Sequence, residues 1–140
     1  MGSYTVDIDN MRVEIRDDLY YTESDEWVKQ IGGDVIIVGV TDYAQKMLKD
    51  VVGVELPDVG AFYNKGDPVA IIESIKASAD VYSPANGEII EVNERLLDEP
   101  ELINREPYEA GWIFKMKLKD ELKGLLTHKE YVDKLLSSKK

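Results

Sequence analysis

Cysteine is missing from the chain, and histidine occurs once, at His128. The first absence excludes disulfides, thiolate metal sites and cysteine nucleophiles. The second leaves a Ser-His-Asp triad one candidate base and a multi-histidine metal site none. Carboxylates alone hold calcium in spaced Asp/Asn loops, and no loop of that pattern occurs. No apolar run approaches membrane-spanning length. Basic residues are scarce: 17 Lys and Arg against 28 Asp and Glu give a formal charge of −11. That sign repels phosphate backbones and anionic membranes, which argues against nucleic-acid and membrane partners. The opening "MGSYTVDIDN" has neither an apolar core nor an Arg-rich amphipathic pattern, and it lacks the Ser or Thr that N-myristoylation requires. A cytoplasmic protein is the expectation.

Short strands dominate what is present. "MRVEIR" (11–16) alternates apolar and polar residues, as a half-buried strand does. "EWVKQIGGDVIIVGV" reads as two strands about a turn at Gly32-Gly33-Asp34. In "TDYAQKMLKD" the period changes: Tyr43, Met47 and Leu48 fall at helical spacing, with Thr41 as N-cap. "VVGVELP", "VAIIES", "ADVYS", "EIIEVN" and "GWIFKMKL" return to strand patterns, with "DVGAFYNKGDP" and Pro84-Ala85-Asn86-Gly87 as turns. "DEPELIN" predicts a brief helical turn, with Asp98 near its cap and Pro100 in its first turn. Thr127 and Glu130 form a capping box before a terminal helix whose apolar side is Tyr131, Leu135 and Leu136. "GDVIIV" (33–38) and "GEIIEV" (87–92) echo one another, as two similar halves of a flattened barrel would. The fold class expected is mainly β, a compact antiparallel barrel or sandwich with a few short helices and a C-terminal helix.

One lysine is out of place. In "AIIESIKASADVYSP" (70–84), Lys76 falls at the crest between two strands, followed by the small residues Ala77, Ser78 and Ala79. A tight hairpin favours Asn-Gly or Asp-Gly there, and neither is used. An exposed amine is mostly protonated at neutral pH and is a poor unaided nucleophile. Lys76 therefore reads as a lysine that another enzyme modifies, and no residue of the chain reads as catalytic. Glu73 and Asp80 bracket it, either as solvated charges or as recognition elements of the hairpin. His128 reads as a solvent-facing first-turn residue, and Trp27 and Trp112 as core.

The segments "LYYTESDEWV", "VGVTDYAQ", "VVGVELPDVG", "VAIIESIKASADVYSPANGEIIEVNERLLDEPELIN" and "PYEAGWIFKMKL" occur in an order that resembles the H-protein family of the glycine cleavage system, from about Val13 to Leu136. The resemblance implies a flattened antiparallel barrel-sandwich of the biotinyl/lipoyl type. It divides the chain into an N-terminal extension at 1–12 and a lipoyl-carrier domain at 13–140. It places covalent lipoate on Lys76 of "ESIKAS". It also implies a carrier that is not an enzyme, moving the aminomethyl group of glycine from a pyridoxal-phosphate glycine decarboxylase to a folate-dependent aminomethyltransferase. A flavin dihydrolipoyl dehydrogenase and a lipoate-attaching enzyme complete the implied partners. Asp25 departs from the family's usual histidine in this segment, and no role is assigned to it. Three other readings stand beside this one: an H-like carrier serving sulfur oxidation or lipoyl relay, a biotin carrier, and an unmodified interaction domain. Biotinylated lysines typically lie between two methionines, and Lys76 lies between Ile75 and Ala77. "Phe114-Lys115-Met116-Lys117" alternates as a strand and offers no turn.

Overall fold

A computed structural model describes residues 2–137. The order is β1 (Ser3–Ile8), β2 (Met11–Arg16), β3 (Tyr20–Tyr21), β4 (Glu26–Gly32), β5 (Val35–Val40), α1 (Asp42–Leu48), β6 (Val51–Glu55), β7 (Phe62–Tyr63), β8 (Pro68–Ser74), β9 (Ser78–Tyr82), β10 (Gly87–Val92), α2 (Arg95–Asp98), α3 (Leu102–Arg105), β11 (Phe114–Leu118) and α4 (His128–Ser137). Every ladder is antiparallel. Six strands form one sheet in the order β3-β4-β5-β11-β10-β7, three form a second, β6-β8-β9, and β1-β2 stand apart as a hairpin. The architecture is the mainly β sandwich expected. Its two echoing strands, β5 and β10, flank β11 on either side.

Alternation along β4 and β5 assigns two cores. Val28, Ile36 and Val38 lie in one buried cluster with Ile89 and Phe114 of their own sheet and with Ile72 and Val81 of the three-stranded sheet. Trp27, one residue from Val28 and so on the opposite face, packs with Ile15, Tyr21, Tyr108, Tyr131 and Leu135 beneath the β1–β2 hairpin and α4. Gly39 lies opposite Trp27 in the ladder. A Cβ there would sit 2.6 Å from the indole ring, so the ring lies across bare backbone. Gly39→Ala is expected to lower unfolding free energy by about 1–3 kcal/mol, the cost of overpacking a filled core. Urea denaturation checks it, and an unchanged midpoint would mean that Trp27 shifts freely.

Several elements depart from the sequence reading. Of the stretch expected as an extension, 1–12, Ser3–Ile8 form β1, paired with β2 from Ser3↔Arg16 to Ile8↔Met11. The connecting Asp9 and Asn10 have φ of 52° and 67°, the left-handed pair that suits a two-residue hairpin turn. β7 lies in a stretch read as turn. The helical turn near Pro100 is two short helices, and Asp98 ends the first of them instead of capping it. In α1 the buried residues are Asp42 and Gln45, while Met47 is exposed. The polar face turns inward because its partners are there. Glu14 N–H donates to Asp42 Oδ2 (2.8 Å), Gln45 Nε2 donates to Asp42 Oδ1 (2.7 Å), and Asn104 Nδ2 donates to Gln45 Oε1 (3.0 Å).

The capping box on α4 forms as expected. Thr127 N–H donates to Glu130 Oε1 (2.9 Å) and Glu130 N–H to Thr127 Oγ1 (3.2 Å). Leu136, however, is exposed, and only Tyr131 and Leu135 of the expected apolar side are buried. His128 is half-buried, with Tyr4 of β1 bonded to its Nδ1 at 2.7 Å. Trp27 is buried as expected, whereas Trp112 is half-buried with the Lys115 amine 5.1 Å from its ring centre.

Candidate functional site

Lys76 stands at the crest joining β8 to β9, and Ser74 makes that crest rigid. The Ser74 N–H donates to the Ala77 carbonyl (2.8 Å). Ser74 Oγ accepts from the N–H groups of Lys76 (3.2 Å) and Ala77 (3.1 Å) and donates to the Ala77 carbonyl (3.1 Å). A side-chain hydroxyl that bonds the backbone two and three residues on replaces the glycine turn that the sequence lacks. The Ile75 N–H donates to the Asp50 carbonyl (3.0 Å), which ties the crest to the start of β6. The side chain of Lys76 is exposed, and its amine donates to the Met47 carbonyl at the end of α1 (2.9 Å). A cation is favoured at that helix terminus.

The amine lies at the edge of an open cleft of about 380 Å³. Its walls come from four elements: Val40 and the α1 residues Tyr43, Ala44, Met47 and Leu48 on one side, Ile72, Ala79 and Val81 on the other. Ser24, Asp25, Glu26 and Asp80 supply its polar part. Glu26 is only 1% exposed. Thr22 Oγ1 and Ser24 Oγ (2.6 Å) donate to its Oε1, and the Tyr82 N–H of β9 donates to its Oε2 (3.0 Å). A carboxylate thus joins the edge of the lysine-bearing sheet to β4. Asp25, with φ of 72°, accepts from the Tyr131 hydroxyl (2.9 Å), and its carbonyl accepts the Thr41 N–H (3.0 Å). The residue that departs from the family pattern therefore anchors α4 and the cap of α1.

The recognition candidates Glu73 and Asp80 are both exposed. The register, Glu73↔Ser78 and Ile71↔Asp80, makes them diagonal neighbours on one face of the hairpin. The structure brings them near the crest, but the amine's hydrogen bond goes to Met47 and to neither carboxylate. Sequence reasoning missed Ser74, Asp25 and Glu26. For Glu26 a local signal existed: hydroxyls at Thr22 and Ser24, four and two residues before an acid that opens a strand.

Burial pushes the carboxyls of Asp25 and Glu26 above the ordinary range. The Lys134 charge and the Tyr131 hydroxyl oppose the shift at Asp25, and the Ser24, Thr22 and Tyr82 hydrogen bonds oppose it at Glu26. Each group holds its proton more tightly folded than unfolded, so the folded state binds more protons between the two pKa values. Stability is accordingly fullest below the unfolded carboxylate range and declines as pH rises through the folded values. Glu26→Gln removes one of these groups. The difference in urea midpoint, wild type minus Glu26→Gln, is expected to fall as pH climbs from about 4 to 8. A difference that is flat or rising over that range would contradict the raised value.

Among the described residues there is no cluster of three or more carboxylate or histidine side chains able to hold a metal, and no helix is long and apolar enough to cross a membrane. The glycine cleavage H-protein family model matches residues 19–138. A probable glycine cleavage system H protein of Aeropyrum pernix is 52% identical and spans 99% of both chains, the β1–β2 hairpin included. The glycine cleavage system H protein of Vibrio vulnificus is 49% identical over 84% of this chain and 94% of its own length. The crystal structure of a glycine cleavage system H protein from Mycobacterium marinum superposes with a TM-score of 0.79, at 35% identity, over 85% of this chain and 97% of that one. The chain belongs to the glycine cleavage H-protein family, as a lipoate-bearing carrier of the glycine cleavage system and not an enzyme.

Proposed function

We propose that Lys76 is the residue acylated by lipoate, and that the cleft beside it receives the acylated side chain. The observation that carries this is the placing of one exposed amine on a clamped crest at the mouth of an apolar-walled cleft. The residues present suit the group. The amine is exposed, and Val40, Met47, Leu48, Ile72 and Val81 offer apolar contact to a hydrocarbon arm. When bound, lipoate supplies the dithiolane for redox and aminomethyl-transfer chemistry. The chain itself does the rest. Ser74 holds the crest, the apolar cleft walls give the arm a surface to lie on, and tethering presents the cargo to each enzyme at high effective concentration.

The partners of this carrier are those of the glycine cleavage system. In finer terms we assign it a pyridoxal-phosphate glycine decarboxylase, a folate-dependent aminomethyltransferase, a flavin dihydrolipoyl dehydrogenase and a lipoate-attaching enzyme. Archaeal and bacterial relatives support a cytoplasmic setting. Glu73 and Asp80, on one face of the hairpin, are assigned to recognition by the attaching enzyme.

The test is exchange of labelled bicarbonate into the carboxyl group of glycine. The lipoylated chain, mixed with glycine decarboxylase, is expected to raise exchange well above decarboxylase alone. Fully lipoylated protein that leaves exchange at background would overturn the reading.

A further inference from the structure

Exposure alone does not single out Lys76, because Lys29, Lys49, Lys65 and Lys117 are also exposed. Its surroundings do. Ile75, the neighbouring crest residue, is 68% exposed, and its backbone is pinned to Asp50. The register of β6 against β8 slips between Val51 and Gly53, directly below the crest, since Val51 pairs with Ser74 and Gly53 with Glu73. The extra residue is Val52, which the bulge leaves 57% exposed. Met47, whose carbonyl holds the Lys76 amine, is 42% exposed. Three exposed apolar residues thus lie close in the backbone to the crest that carries the amine: Ile75 beside Lys76, Val52 in the bulge against Ser74 and Glu73, and Met47 at the amine's acceptor. Ile75 and Val52 could each be polar without disturbing a core.

We infer that Ile75, Val52 and Met47 form the docking patch by which the lipoate-attaching enzyme selects Lys76. The inference rests on Lys76 being the acylated residue. The attaching enzyme is the fitting occupant because it acts on the amine itself. The later enzymes act at the far end of the arm and need not close over the crest. In its step the deprotonated amine adds to an activated lipoyl carbonyl and an amide C–N bond forms. The bond to the leaving group, an adenylate phosphate or a carrier thiol, breaks, and the released proton passes to the enzyme. The amine must first leave the Met47 carbonyl, and an enzyme seated over Met47 and Ile75 is placed to draw it away. Asp50, Glu73 and Asp80 are exposed nearby, so the complementary surface is an apolar recess with a basic rim.

The test uses the full chain with a lipoate–protein ligase, lipoate and ATP, and maps the modified lysine by peptide mass. The double variant Ile75→Ser, Val52→Ser is expected to lose at least tenfold in kcat/KM for lipoylation. Most of the loss should lie in KM, and Lys76 should remain the site. Ile31→Ser is the control: Ile31 is comparably exposed, at 46%, but lies at the opposite end of the β4–β5 hairpin from the cleft residues Glu26 and Val40. It should match wild type. Met47→Gln, which keeps a helix-forming residue, should show a smaller loss of the same kind. Lipoylation of the double variant at the wild-type rate on Lys76 overturns the patch and leaves the attachment site standing, and so does equal slowing by Ile31→Ser. Lipoate mapped to another lysine overturns both. Melting curves that coincide with wild type exclude unfolding as the cause.

Discussion

Lys76→Arg protein, produced alongside a lipoate-attaching enzyme that fully modifies wild type, will carry no lipoyl group. The reason is chemical. A guanidinium stays protonated and delocalises its nitrogen lone pairs, so it does not take up an acyl group as an amine does. The fold should scarcely register the change. The Lys76 amine donates to the Met47 carbonyl at an exposed position. Arginine can donate to the same oxygen, and exposed charged contacts contribute about 0–1 kcal/mol. Thermal melting should therefore coincide with wild type while intact mass shows the unmodified chain alone. In the bicarbonate exchange assay the variant should fall to the background of decarboxylase alone. No other group can compensate, because the chain has no cysteine and its only histidine is engaged by Tyr4. A lipoyl group mapped to any other lysine of the variant would refute the assignment.

Much of this arrangement is legible in the sequence, and the exceptions share a cause. Strands half-buried between a core and solvent announce themselves by alternation, as "MRVEIR" does, and the capping box of α4 needs only residues three apart. The crest could be found because its oddity is local: a long amine followed by small residues where a turn dipeptide belongs. The cleft could not, because its walls come from β5, α1, β8 and β9, which meet only in three dimensions. The inward polar face of α1 was likewise hidden. Asp42 and Gln45 are buried because Glu14 and Asn104 wait for them across the chain, and a rule that buries apolar residues assigns the helix the wrong face. Glu26 had a local signal in Thr22 and Ser24, and only its third partner, the Tyr82 backbone, lies across the chain. The strand β1 is different. It and its Asp9-Asn10 turn precede the stretch that carries the resemblance, which begins at about Val13, and Asp-Asn lacks the glycine that marks a tight hairpin.

Exchanging the residues at 76 and 77, Lys76→Ala with Ala77→Lys, is expected to cost lipoylation on the order of a hundredfold, although composition and charge are unchanged. The crest backbone is held by Ser74, whose N–H and hydroxyl bond the backbone of residues 76 and 77 and so do not depend on the side chains there. Both positions are exposed, so stability should remain within about 0.5 kcal/mol of wild type. What changes is direction. Residue 77 leaves the turn one position later, immediately before the first ladder pair of β9, Ser78 with Glu73, and a one-residue shift re-aims the side chain. The amine would turn from the mouth of the cleft and the Met47 carbonyl. An enzyme that docks on Ile75, Val52 and Met47 would then hold its activated acyl group away from the nucleophile, and misplacement of about an ångström can cost a hundredfold in rate. Initial rates with the cognate ligase decide the matter. A rate equal to wild type, with the lipoyl group mapped to Lys at 77, would show that the enzyme accepts any amine on this crest and that the geometry built by Ser74 is not read.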